Sequence, residues 1–112
     1  MKRENYEVVL LPPDIVNRIT HETESVTESW QRRRVKYSQR EAAELLGIDK
    51  GNFTRLLDEQ IAIPKNARVE FMALTGNLLP LQYEAAQMGC AVVPISELEK
   101  LKNTRPVVRY EG

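Results

Sequence analysis

Little in this chain is suited to covalent or metal chemistry. It has one cysteine, Cys90, and one histidine, His21, in 112 residues. A single cysteine excludes an internal disulfide framework and a zinc site built of cysteines, and it suits a reducing cytoplasm. His21 has no histidine or cysteine neighbour at ligand spacing and lies in a polar stretch, so it reads as a surface residue, not a catalytic base. Cys90 sits in the apolar run MGCAVV and reads as a small core residue. The carboxylates Glu22/Glu24 and Glu97/Glu99 are spaced i,i+2 and diverge on a helix, which argues against paired acid–base work. No glycine-rich phosphate loop occurs. Long apolar runs are missing as well. The start MKRENYEVVLLPPD has basic residues, but its apolar run is only about five residues, too short for a signal peptide or a membrane span. No enzyme activity, metal, cofactor or membrane partner is expected.

Net charge is the other absence: 16 bases balance 16 acids. The balance conceals a pattern. Residues 4–31 carry six acids against one base, whereas residues 32–55 carry seven bases against three acids. Five of those bases fall within residues 32–40. A local basic footprint on a neutral protein is what a nucleic-acid binder needs, more than a high overall pI. With 42% apolar and 29% charged residues, the composition is that of a soluble globular chain, one domain or one domain with an appendage.

The run YEVVLL at residues 6–11 is β-prone and ends at Pro12 and Pro13, so a short strand is predicted. Asp14 can cap a following helix. Ile15, Ile19, Val26 and Trp30 fall on one helical face, which suggests a helix reaching Arg33, with a break near residues 23–25 where HETES is polar. Pro64 at a helix N1 position opens PKNARVEFMALTG, closed by Gly76, and Pro80 opens PLQYEAAQMG, closed by Gly89. CAVVPI reads as a strand, SELEKLKN as a short helix and RPVVRYE as a strand or tail. About five helices are expected, with short β-prone segments near both ends. Residues 1–13 form an arm or strand, 14–89 the main domain, and 90–112 an oligomerisation element.

The most informative stretch is YSQREAAELLGIDKGNFTRLL, residues 37–57. Ser38 followed by Glu41 is a capping box, placing a helix start at about Gln39. Ala42, Ala43, Leu45 and Leu46 supply its buried side. Gly47 ends it, because glycine takes the left-handed conformation at low cost. Ile48 is an apolar plug in the turn, and Asp49 caps a second helix from Lys50 to about Asp58, buried through Phe53, Leu56 and Leu57. Ala43, Gly47, Phe53 and Leu56, at offsets 0, +4, +10 and +13, match the helix-turn-helix pattern. The plainer alternative is an αα-hairpin inside a bundle. It leaves unexplained why the outer face of the second helix, Lys50, Gly51, Asn52, Thr54 and Arg55, is short, polar or cationic.

This region, roughly residues 37–88, resembles the lambda-repressor-like helix-turn-helix superfamily. Within it the likeness is to phage CII-type regulators, carried by GIDKGNFTRLL, IPKNARVEFMALTGN and GNLLPLQYEAAQMGCAVVP. The run YEVVLLPP, the acidic first helix and the SELEKL tail are not part of that pattern. The resemblance implies a mainly α bundle that binds double-stranded DNA in the cytoplasm of a bacterial host. It implies base contacts from Lys50, Gly51, Asn52, Thr54 and Arg55, with Asn52 suited to adenine and Arg55 or Lys50 to guanine. Phosphate contacts are expected from Arg32, Arg33, Arg34, Lys36, Tyr37, Ser38, Gln39, Arg40, Lys65 and Asn66, with Arg68 nearby. Gln39 would touch phosphate or brace the second helix. The plainer reading of the basic run is a solvated helix end paired with the acidic residues 22–28. The likeness tilts toward an activator that touches host RNA polymerase or its sigma factor. A Cro-like or antitoxin-like repressor is the alternative, and a protein-interaction module such as an antirepressor is the reading from another class. A homodimer or homotetramer is expected, with residues 6–11, 90–95 and 96–103 as interface elements, since one recognition helix covers few base pairs.

Overall fold

Prolines, glycines and side-chain caps set the helix boundaries. The computed structural model describes residues 8–103, with side chains described through Lys100. Among these residues lie seven helices: α1 Pro13–Arg18, α2 Glu22–Gln31, α3 Gln39–Leu46, α4 Lys50–Leu57, α5 Lys65–Thr75, α6 Leu79–Gln87 and α7 Ile95–Asn103. Pro13 occupies the first turn of α1, where its missing N–H costs nothing. Gly76, with φ of 81°, ends α5 in the left-handed region. Pro64 is the residue before α5, not its first helical residue. None of the described helices is long and apolar enough to cross a membrane.

The helical stretch expected from residue 14 to Arg33, with a break near residues 23–25, is two helices, and the break falls earlier, at Ile19–His21. Two observations account for it. Ile19 is buried with Val16 and Leu79 in a small core beside α6. Thr20 is then held by Glu24, whose carboxylate accepts from the Thr20 backbone N–H at 2.7 Å and from its hydroxyl at 2.9 Å. The apolar face read as one stripe is therefore shared. Ile15 and Ile19 serve the small core, while Val26 and Trp30 serve the main one.

The expected strands are not formed among the described residues. Tyr6 and Glu7 lie outside them, as does RPVVRYE at 105–111. Residues 8–11 make one isolated parallel bridge, Val9 to Asn77. Beyond that bridge the arm is held by a helix side chain: the Gln82 amide accepts from the Leu11 N–H at 2.9 Å and donates to the Leu11 carbonyl at 3.0 Å. A glutamine thus takes the place of a neighbouring strand. Residues 90–94 are irregular, and Cys90, expected in the core, is exposed.

The middle of the molecule is α2, packed against α4 on one side and α6 on the other. The main core joins Val26 and Trp30 of α2 to Ala42, Ala43, Phe53, Leu56, Ile63, Ala67, Phe71, Met72 and Leu74. The Trp30 and Phe53 rings meet edge to face, centroids 5.2 Å apart. Leu45, assigned to the buried side of α3, is 47% exposed; Ala42, Ala43 and the half-buried Leu46 fill that side without it.

Candidate nucleic-acid interface

The α3–turn–α4 unit is specified by its own residues. Ser38 and Glu41 form a reciprocal capping box: the Glu41 N–H donates to Ser38 Oγ at 3.1 Å, and the Ser38 N–H donates to Glu41 Oε1 at 2.9 Å. At the other end Gly47 has φ of 68°. The Ile48 N–H donates back to the Ala43 carbonyl at 2.9 Å, closing a Schellman turn that packs the half-buried Ile48 against the core. Asp49 then caps α4, accepting from the N–H groups of Gly51 at 3.0 Å and Asn52 at 3.3 Å. A Cβ at Gly51 would lie 3.1 Å from this carboxylate, so glycine suits the crowded cap.

Glu41 titrates through this geometry. The Ser38 backbone N–H, and then the Ser38 hydroxyl, hold its carboxyl below the ordinary glutamate value. A carboxyl whose value is lower when folded stabilises the fold fully above the unfolded value of 4.5. That contribution disappears as pH falls through the lowered folded value. We expect Glu41→Gln to remove this acid-dependent share, so that melting temperature falls less between pH 5 and pH 3 than in the wild type. Equal falls in both proteins would show that the cap does not depend on the ionised carboxylate.

Packing decides which side of α4 faces outward. Phe53 and Leu56 are buried against α2, and the Thr27 hydroxyl of α2 donates to the Leu57 carbonyl at 3.2 Å. Lys50, Gly51, Asn52 and Arg55 are consequently exposed together. Arg55 Nη1 donates to Asn52 Oδ1 at 3.3 Å, which sets these two side chains next to each other. Thr54 is half-buried. Its hydroxyl lies 3.3 Å from Gln39 Oε1 and 3.1 Å from the Lys50 carbonyl, so Gln39 links the start of α3 to the second turn of α4.

The basic run divides into used and outward-facing groups. Arg33 is a fastening: its guanidinium carbon lies 3.9 Å over the Trp30 ring centre, Nη1 donates to the Trp30 carbonyl at 2.9 Å, and Nε donates to the Tyr37 carbonyl at 3.1 Å. Arg32 pairs with Glu28 at 2.7 Å, as the plainer reading of the run has it. The Arg34 backbone N–H donates to the Thr75 carbonyl at 2.9 Å, and its Cβ would crowd any side chain at Gly76, at 3.3 Å. Tyr37 is half-buried, with its ring on the main core. Ser38 is exposed, its hydroxyl engaged in the cap. Lys36, Gln39 and Arg40 are exposed around the α3 N-terminus, and Lys65 and Asn66 are exposed at the α5 N-terminus. Arg68 turns to Glu84 at 3.3 Å and away from that end of α5.

One feature had no sequence signal. Glu59, just past α4, has φ of 62° and meets His21 Nε2 at 2.8 Å. A sequence separation of 38 leaves no local pattern to read. The Arg33–Trp30 stack did have one, an i,i+3 cation–aromatic spacing. Among the described residues, no group of three acidic, histidine or cysteine side chains could hold a metal ion. No protein-family model, curated protein or solved structure matches the chain.

Proposed function

We propose that this chain is a sequence-specific DNA-binding transcription regulator of the lambda-repressor-like helix-turn-helix kind, with α4 as its recognition helix. The observation that supports this reading is the division of α4. Phe53 and Leu56 are wholly buried, while Lys50, Gly51, Asn52 and Arg55 stand exposed with no carboxylate among them. In a major groove Asn52 pairs with adenine, and Arg55 or Lys50 with guanine. Thr54 and Gln39 hold α4 at its angle to α3. Phosphates are met by Lys36, Gln39 and Arg40 at the α3 N-terminus, where the helix dipole favours an anion, and by Lys65 and Asn66. Arg33 acts from beneath, by locking Trp30 and the Tyr37 carbonyl.

The test is selection from a random duplex library by the full chain, followed by binding measurements on the selected site. Arg55→Ala should weaken specific binding by roughly 1–3 kcal/mol and relax preference at one base position. A uniform loss on all sequences would make Arg55 a phosphate contact. Affinity should fall with salt with a log–log slope of about −0.9 per phosphate contacted; a flat response would favour a protein-interaction module instead. Activation or repression depends on where the site lies relative to a promoter, and a reporter with and without the protein reads that sign.

A further inference from the structure

Among the described residues, four helices close with a residue of positive φ, and at three of them it is a glycine: Gly47, Gly76 and Gly89, at 68°, 81° and 71°. The fourth is Glu59, at 62°, just past α4. Glycine takes this conformation freely, whereas any other residue sets its Cβ against the carbonyl that follows. The turn satisfies the end of α4. The Glu59 N–H donates to the Leu56 carbonyl at 3.2 Å, and the Gln60 N–H to the Arg55 carbonyl at 2.8 Å. Both are backbone bonds, which a glycine would make as well. What a glycine lacks is the side chain, and here the side chain has a partner.

The Glu59 carboxylate meets His21 Nε2 at 2.8 Å. A carboxylate only accepts, so Nε2 donates. His21 is the residue before α2, and its ring makes no cap bond there. Its other nitrogen, Nδ1, lies 2.8 Å from the Thr20 hydroxyl, and Thr20 is held by Glu24 of α2. The ring is thus fixed from the α2 side and reaches across to the end of α4.

Stability does not account for a glutamate at this place. The His21 and Glu59 side chains are 55% and 35% exposed, and exposed ion pairs contribute little. The left-handed φ costs a non-glycine residue more than such a pair returns. Strained backbone gathers where position matters to function, and the position at stake is that of α4. This helix has only eight residues and is buried through Phe53 and Leu56. Those two set which face points inward, but so short a helix can still tilt about them. Gln39 braces its second turn from α3, and Thr27 of α2 holds the Leu57 carbonyl. His21 grips the residue beyond the C-terminal end.

We propose that His21 is a positioning residue of the recognition helix: through Glu59 it fixes the tilt of α4 against α2, and with it the register of Asn52 and Arg55 on the bases. The inference rests on the DNA-binding reading and adds α2 to the elements that serve it. His21 acts through Glu59, not by touching DNA.

The experiment compares the full chain with Glu59→Gly, His21→Ala and the double variant on a duplex selected by the wild type, with melting followed by circular dichroism. Glu59→Gly removes a negative charge, which by itself would strengthen attraction to phosphates. The expected result is nevertheless a loss of about tenfold in affinity for the selected duplex, at a melting temperature equal to or above that of the wild type. His21→Ala should lose as much, and the double variant no more than either. Undiminished binding by Glu59→Gly, losses that multiply in the double variant, or a lower melting temperature for Glu59→Gly alongside its binding loss would each overturn the proposal. The grip is also read without DNA. The Gln60 amide should exchange its hydrogen faster in His21→Ala than in the wild type, and equal exchange would overturn the proposal as well. A wild type that selects no duplex would instead overturn the DNA reading, while the exchange result would still report on how His21 holds α4.

Discussion

Replacing Phe53 by alanine is expected to lower the melting temperature more than any other single substitution in the α3–α4 unit. The ring is wholly buried, and it meets Trp30 edge to face at 5.2 Å, so it joins α4 to α2. Removing a buried phenylalanine costs roughly 3–5 kcal/mol, as lost transfer energy and as a cavity that the neighbours fill only in part. A domain is stable by only about 5–15 kcal/mol, and near this size each kcal/mol shifts the midpoint by roughly 4–8 °C. Thermal and denaturant unfolding would measure the loss. Phe53→Leu, which keeps most of the volume, should cost much less. If Phe53→Ala cost under about 1 kcal/mol, α4 would not depend on α2 for its position, and the outward face proposed to read bases would lose its foundation.

Asn77→Leu should produce the second large loss, through hydrogen bonds and not through volume. Asn77 is 1% exposed. Its Nδ2 donates to the Ser29 carbonyl at 3.2 Å, in the last turn of α2, where helical carbonyls lack partners of their own. Its Oδ1 accepts from the Ser29 hydroxyl at 2.7 Å and from the Leu79 N–H at 3.3 Å, in the first turn of α6. One side-chain amide thus satisfies the end of one helix and the start of another. Leucine would occupy similar space but leave the Ser29 carbonyl and the Leu79 N–H without this partner, each at about 1–3 kcal/mol, while the Ser29 hydroxyl keeps the Thr75 hydroxyl at 3.0 Å. A total on the order of 3 kcal/mol is expected from chemical denaturation. A double-mutant cycle with Ser29→Ala should show strong coupling between the two positions; additive losses would mean that the bonds contribute little.

The α3–α4 unit was legible in the sequence because every device that builds it is local. Ser38 and Glu41 are three residues apart, and Gly47 needs only its own φ to end α3. Asp49 reaches the N–H groups two and three residues on. The same holds for Gly76 after α5. The break between α1 and α2 was misplaced because Ile19 is drawn to Leu79, a partner sixty residues away in the chain. The β-prone arm was misread because strand propensity reports fit to a pleated surface. Here, the glutamine of a helix supplies the ladder that such a surface would offer.

The basic run shows the same division most clearly. Its composition marks residues 32–40 as cationic, but composition assigns every arginine the same task. Only the packed molecule sets Arg33 over Trp30 and Arg32 against Glu28, and leaves Lys36 and Arg40 exposed near the α3 cap. By itself the sequence determined where α3 and α4 begin and end and which side of α4 is polar, since caps and helical periodicity act over a few residues. Only the tertiary structure decided which cations are already engaged, which apolar surfaces stay uncovered and how α4 is braced, because each depends on contacts between residues that the chain holds far apart.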